Sequence, residues 1–324
     1  MARQPAFEEE REQPVKFKMA VVGSLNIDIV VKCEARPKPG ETITGLYHSF
    51  IPGGKGANKA CAISRLGGLV SMIGCLGGDP LGNIVIDSLR QSGVDTSTLH
   101  VLEDEQTGAA FITVDGEGEN SIILTSGANG RLSPEMVSEM REAIEESEVT
   151  LAELEVPLPA VERAAEIALS AGRRFVLNPT PVREIPPRSI LWKSTVFVLN
   201  EHEAEFYAGV SVNAREDACN AARILLKKGV ETVVVTLGKV GSIAVSGREE
   251  IEVDAVPVRV VDTTAAGDTF IGGFCTEWLR TKRIGDAMRY ASAAASLSVS
   301  RFGAQTSIPS EDEVRSFQLS ANHG

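Results

Sequence analysis

Nothing in the chain reads as a membrane span or an export signal. No apolar run approaches the roughly 18 residues needed to cross a bilayer, and the first eighteen residues, with Glu8, Glu9, Glu10 and Arg11, lack the apolar core of a signal peptide. Residues 1–17 read instead as a solvated, disordered acidic tail. The C-terminus, ending in His323-Gly324, is not a Ser-Lys-Leu peroxisomal address. The five cysteines, Cys33, Cys61, Cys75, Cys219 and Cys275, lie far apart and include no C-x-x-C pair, which excludes a zinc finger or a disulfide framework and points to a reducing compartment. Basic residues are outnumbered, 32 Lys and Arg against 44 Asp and Glu for a formal charge of -12, and they are scattered; no nucleic-acid partner is expected. Low-complexity segments and clear linkers are missing too. What remains is a soluble enzyme expected in the cytoplasm, and in the nucleus as well, with no membrane partner.

What is present is enough to build a large core: 324 residues, 43% of them hydrophobic. From about Met19 short β-rich runs alternate with helical patterns, the signature of an α/β fold with a mostly parallel sheet. Ala218, Ala221, Ala222, Leu225 and Leu226 recur at helical spacing, Gly229 can cap that helix, and Thr232 to Thr236 then reads as a buried strand. Val161, Ala164, Ala165 and Ala168 form another helix face, ended by Gly172 before a strand from Phe175 to Asn178. Two stretches break the rhythm, about 27–51 and 107–124, the second with a turn at Asp115-Gly116. Their alternating and β-branched residues read as hairpins, and paired together they would form a small sheet beside the main one. One domain from 18 to 324 is expected, with that sheet covering a site at the C-terminal strand ends.

Three runs can carry chemistry. Asp262-Thr-Thr-Ala-Ala-Gly-Asp268 follows a strand-like stretch from Ile251 to Val261 and precedes Phe270, Ile271, Phe274, Trp278 and Leu279 at helical spacing. Ala265, Ala266 and Gly267 then lie where a helix begins, with unpaired N–H groups suited to a phosphoryl anion, and Asp268 falls in the first turn. An acidic residue there can equally do no more than complement the helix dipole. Gly53-Gly54-Lys55-Gly56-Ala57-Asn58 opens a second helix. It is not a Walker A loop, since Gly56 rather than Ser or Thr follows Lys55, and no G-x-G-x-x-G occurs in the chain. Lys55 and Asn58 offer donors to a polyhydroxyl ligand, whereas read alone the glycines make only a turn. Asn26 and Asp28, two apart after the first strand, place an amide and a carboxylate on one side of an extended segment; both are also good turn formers.

In this order and at these separations, the three runs resemble the ribokinase, or PfkB, family of carbohydrate kinases, from Met19 to about Pro309. The resemblance implies a ribokinase-like fold, a central mostly parallel sheet between helices with a small β-sheet lid that often forms a dimer contact. It implies Asp268 as general base and Ala265, Ala266 and Gly267 as a backbone anion hole, with Mg²⁺ and ATP. Asn200-Glu-His-Glu203 matches a motif that organises Mg²⁺ and phosphates; without the family, Glu203 reads as part of an exposed acidic face with Glu201 and Glu205. Thr236, Gly238 and Gly241, with Ser292 and Gly267, match nucleotide contacts. Asp262, Thr264, Ser298, Arg301, Gly303 and Ser307 match an activating monovalent cation site, expected to hold K⁺. Asn26, Asp28, Gly54, Lys55, Asn58 and Glu155 match sugar contacts, as do Ala110 and Ile112 in the lid, and the pattern implies D-ribose plus ATP giving ribose 5-phosphate plus ADP. A family kinase for deoxyribose, fructose or a nucleoside, and a non-catalytic sugar-binding protein of the same fold, are the alternatives.

Overall fold

Alternation of side chains along buried strands decides the architecture. The computed structural model describes residues 17–321. Its first half comprises β1 (Lys18–Val22), β2 (Asn26–Lys32), β3 (Tyr47–Gly53), α1 (Lys55–Arg65), β4 (Leu69–Gly77), α2 (Pro80–Gln91), β5 (Leu99–Leu102), β6 (Gly108–Val114), β7 (Asn120–Thr125), α3 (Pro134–Glu139) and α4 (Arg141–Glu146). There follow β8 (Val149–Glu153), α5 (Leu158–Ser170), β9 (Arg174–Asn178), β10 (Val196–Asn200), α6 (Glu201–Ala208), α7 (Arg215–Lys227), β11 (Thr232–Thr236), β12 (Gly241–Ser246) and β13 (Glu250–Asp254). Three helices end the chain: α8 (Ala266–Thr281), α9 (Ile284–Val299) and α10 (Glu311–Ala321).

Nine strands form one sheet in the order β13-β12-β11-β10-β9-β8-β1-β4-β5, in which β12 alone runs against the others. Both faces are covered. Ala20, Val22, Val233 and Val235 pack into the core shared with α5 and α7, while Met19, Val21 and Val234 face the core shared with α1 and α8. The β/α alternation expected around residues 158–178 and 213–236 is present in α5, β9, α7 and β11. A smaller sheet runs β3-β2-β6-β7: two antiparallel hairpins joined through a parallel β2–β6 pair. The middle pair is parallel because both strands leave the large sheet in the same direction, β2 directly after β1 and β6 after β5. At the 115–119 turn Gly118, not Gly116, is left-handed, and Asp115 Oδ1 accepts the N–H groups of Glu117 and Glu119.

The strand read from Ile251 to Val261 stops at Asp254. Beyond it the carbonyls of Asp254 and Val256 accept the hydroxyls of Ser292 and Ser296 on α9 instead of a strand partner, and Pro257 has no N–H to offer. Val260 and Val261 are exposed. Of the expected tail only Phe17 lies within the described residues, where its carbonyl accepts the Leu69 N–H at 3.0 Å. No helix among the described residues is long and apolar enough to cross a membrane.

Candidate active site

The parallel strands all deliver their C-terminal ends to one edge of the large sheet, beneath the small sheet, and the polar residues collect there. Leaving β1, the chain passes Gly23 and Ser24 so closely to the start of α1 that only glycine fits at its N-cap. Gly54 has φ +93°, and a Cβ on it would sit 2.7 Å from the Asn26 nitrogen and 2.8 Å from the Ser24 carbonyl oxygen. Ser24 O also accepts the Ala57 N–H at 3.0 Å. Helix α1 therefore starts hard against the β1–β2 connection, with no acidic residue in its first turn and no side-chain cap.

Helix α8 meets it there. Ala265, its N-cap, is left-handed at φ 58°, a conformation that costs a non-glycine residue about 1 kcal/mol. The Ala266 N–H closes a turn on Thr263 O at 3.2 Å, whereas the N–H groups of Gly267 and Asp268 find no acceptor among the described residues. Nothing lies within 4 Å of a Cβ placed on Gly267, so the approach to these donors is open. Asp268, in the first turn, accepts from Asn58 Nδ2 at 3.1 Å on one oxygen and from Lys59 Nζ at 2.6 Å on the other. An ionised carboxylate beside free N–H groups at a positive helix end can take a proton while an anion sits next to it.

On the sugar-expected side, Lys55 Nζ pairs with Glu155 Oε1 at 2.8 Å, and Ser24 donates to Glu155 Oε2 at 2.7 Å. Burial opposes the charge of Lys55, but the Glu155 carboxylate outweighs it and the ammonium is held well above its usual range. Asp28, on β2, is pushed up to about 6, chiefly by burial and then by the negative charge of Glu155, with Lys55 pulling the other way. Asn26 is placed differently: its side-chain oxygen accepts from Asn129 Nδ2 at 2.7 Å, and the same Asn129 amide bonds both the N–H and the carbonyl of Leu25. That amide ties the strand entering the small sheet to the segment leaving it. Ala110 is buried on β6, and Ile112 two residues on is half-buried.

Lys55, Asn200, Glu203, Thr236, Ala265, Ala266, Gly267 and Asp268 line one cavity of about 190 Å³, together with Asn178 and Thr263. Asn200 and Glu203 form a reciprocal cap on α6. The Asn200 side chain accepts the Glu203 N–H at 2.8 Å, Glu203 Oε2 accepts the Asn200 N–H at 3.0 Å, and Asn178 Nδ2 reaches the same oxygen at 3.4 Å. Glu203 is buried, unlike half-buried Glu201 and Glu205, so the exposed acidic face is a misreading. The turn from Gly238 to Gly241 follows β11, and Gly241, at φ 120°, lets the backbone pass against Val253. Ser292 is not brought to this cavity; its hydroxyl donates to Asp254 O at 3.3 Å.

Beside the start of α8, Asp262 Oδ1 accepts the Thr264 N–H and hydroxyl and Oδ2 accepts the Gly303 N–H. Burial would raise its carboxyl, but these bonds prevail and hold it below the usual range. Ser298 and Ser307 share a buried hydrogen bond at 2.8 Å nearby. The Arg301 guanidinium turns away to Glu313 at 2.6 Å, which leaves its carbonyl as the group on offer.

The chain as a whole is similar to known proteins. A match to the pfkB family of carbohydrate kinases covers residues 16–311. The chain belongs to the PfkB family. It is 42% identical to the ribokinase of Haemophilus influenzae over 92% of this chain and 97% of that one. Among solved structures, an Arabidopsis thaliana ribokinase complexed with ribose and ATP superposes with a TM-score of 0.89 at 32% identity, covering 94% of this chain and 99% of that one. A candidate ribokinase II of E. coli in complex with ATP and Mg²⁺ gives 0.81 at 25%, covering 94% and 99%. The fold expected from sequence, a mostly parallel sheet with a small β-sheet lid, is that of the PfkB kinases.

Two residues of this PfkB site went unread in the sequence. They are Lys59, next to Asn58 on α1, and Glu153, at the end of β8. Both are completely buried. The available signal was their setting: residues 56–63 of α1 are buried all round, and Val149 to Ala152 precede Glu153 without a break in burial, so a charge in either place demands a partner.

Proposed function

We propose that the chain phosphorylates D-ribose at its 5-hydroxyl, with ATP as donor and Asp268 as general base. The observation that carries this is the position of Asp268, between the α1 residues Lys55 and Asn58 on one side and the open N–H groups of Gly267 and Asp268 on the other. Asp28, Lys55, Asn58 and Glu155, with the close backbone of Gly54, offer the donors and acceptors a pentose needs; Asn26 acts through its bond to Asn129. Asp268 takes the hydroxyl proton as the sugar oxygen bonds to the γ-phosphorus and the bond to ADP breaks. The open N–H groups of Gly267 and Asp268, in the turn that Ala265 and Ala266 begin, would take up the negative charge as it builds, a contribution of about 3 kcal/mol per donor in other enzymes. Asn200, Glu203, Thr236, Gly238 and Gly241 would border the phosphates and nucleoside.

Mg²⁺ fits this site as a solvated ion. Among the described residues no cluster of three His, Cys, Asp or Glu could hold a metal, while Glu203 Oε1 borders the cavity without a protein partner, suited to a water of the ion's shell. The ion would neutralise phosphate charge. A K⁺ site is proposed at Asp262, Thr264, Ser298, Arg301, Gly303 and Ser307: Asp262 Oδ2 keeps a lone pair beyond the Gly303 bond, and the remaining ligands would be carbonyls. Dimerisation through the lid is supported by a row across it, Phe50, Ile29, Phe111 and Ile123, in which the last and both phenylalanines are exposed. A cytoplasmic location agrees with five cysteines that are all free and buried.

The test is ATP-dependent phosphorylation of ribose, deoxyribose, fructose and a nucleoside by wild type and Asp268→Asn, with K⁺ varied at fixed ionic strength and mass measured by sedimentation. Ribose turnover that falls about 10³-fold in the mutant is expected. Full activity in Asp268→Asn would sink the mechanism; fast turnover of another sugar without ribose would sink the substrate assignment. Indifference to K⁺ or a monomer at micromolar concentration would remove those two parts alone.

A further inference from the structure

Lys59 carries a charge with no access to water. Its side chain is 0% exposed, and among the described residues its ammonium bonds Asp268 Oδ1 at 2.6 Å and, at 3.4 Å, the carbonyl of Lys55 one turn back, and no other group. Such an ion is tolerated only where fixed partners replace the solvent it has lost. Titratable groups surround it on α8, on α1 itself and on β8. On α8, besides Asp268, Cys275 feels the lysine, but burial pushes its thiol up to about 12 and it stays neutral. On α1, Lys55 senses Asp268 as well as its own partner Glu155. At the end of β8 lies Glu153, wholly buried, its oxygens accepting the N–H groups of Ser24 and Glu155. Burial and the Glu155 charge push Glu153 up to about 7, while the charge of Lys59 pulls it back down.

For the base this has two consequences. Asn58 and Lys59 together hold both oxygens of Asp268, so the carboxylate cannot rotate away from the direction in which α8 presents it. Proton transfer to Asp268 also removes the one negative charge in contact with Lys59, at the moment when the lysine most needs another. Glu153 accepts the Ser24 N–H while the Ser24 carbonyl accepts the Ala57 N–H of α1, which makes it the wholly buried carboxyl beside the same helix start and able to supply that charge.

We infer that Lys59 is a positioning residue for Asp268, and that Glu153 is the counter-charge that keeps the buried lysine balanced as Asp268 is protonated. This rests on Asp268 acting as the base. The first turn of α1 then works on two sides at once, with Lys55 and Asn58 facing the sugar while Lys59 faces inward and holds the base.

Four variants test it, each assayed on whichever sugar the wild type turns over: Lys59→Met, Lys59→Gln, Glu153→Gln and the double Lys59→Gln/Glu153→Gln. Lys59→Met should lower kcat about 100-fold, the loss typical of a misplaced reacting group, with sugar KM changed less than about threefold. The fall of its kcat on the acid side should move to higher pH, because a positive charge beside the carboxylate has gone. The double variant, which leaves two neutral amides, should be at least about tenfold more active than the product of the two single effects predicts. A Lys59→Met enzyme with wild-type kcat and pH profile overturns the proposal, as does a loss matched by KM with the acid limb unmoved. If Lys59→Met does not fold by circular dichroism, the Gln cycle decides: single effects that simply multiply overturn it. Asp268→Asn runs alongside. An active Asp268→Asn overturns the base and this inference together, whereas an inactive one beside unaffected Lys59 variants overturns only the role of Lys59.

Discussion

Helices α2 and α8 both begin in a turn, and they treat their first N–H groups in opposite ways. At α2, Asp79 accepts the Gly82 N–H at 2.8 Å, Pro80 supplies a first-turn residue with no N–H, and the same carboxylate binds the N–H and hydroxyl of Thr107 at the foot of the lid. At α8 the N-cap is a strained alanine, and among the described residues no side chain caps the helix and two N–H groups find no acceptor. Helix α1 lies between the two: its N-cap, Gly54, brings no side chain either, but the Gly56 and Ala57 N–H groups go to Ser24 of the β1–β2 connection. Where the turn serves only the fold, its donors are consumed by the chain; where a ligand is to be met, they are left open and stability is given up. The distinction is local: α6, whose cap includes Glu203 at the cavity wall, does both.

Three substitutions press on that contrast. The largest effect is expected at Gly54→Ala, where a Cβ would meet three backbone atoms within 2.9 Å in a left-handed residue: a loss of about 3 kcal/mol in denaturant unfolding, with sugar KM raised. A variant as stable as wild type would mean that the β1–β2 connection can move away from α1. Asp79→Ala should cost about 2 kcal/mol, from the cap and the stranded Thr107 groups, with kcat unmoved. A large kcat change there would erase the line between the two kinds of helix start. Smallest is Ala265→Gly, expected to gain up to about 1 kcal/mol by relieving the left-handed alanine, less what glycine adds to the entropy of the unfolded chain. A lower melting temperature would show that residue 265 contributes something other than that turn.

The elements best read from sequence were those fixed by local pattern. Apolar spacing in α5 and α7, and the β-branched run of β11, leave little choice of structure, and glycines 172 and 229 end the helices by backbone conformation. Asp268, Lys55 and Asn58 were legible because small residues flank them. The misreadings share a different cause. Val258 to Val261 looks like strand by residue type, yet serines of α9, distant in sequence, take the carbonyls just before it. Glu203 looked exposed beside Glu201 because burial on a short helix depends on what packs over it. Lys59 and Glu153 were overlooked because their partners come from other elements.

The Asn129 amide has a mechanical meaning. It fastens Leu25 and Asn26, where the chain climbs into the lid, to the point where the chain comes back down, so the two crossings cannot be displaced independently. A four-stranded flap tied here, and at Thr107 by Asp79, should swing as one plate. Because Asp28 rides on the plate while Lys55 and Glu155 stay with the body, a molecule gripping all three reports the angle of the swing.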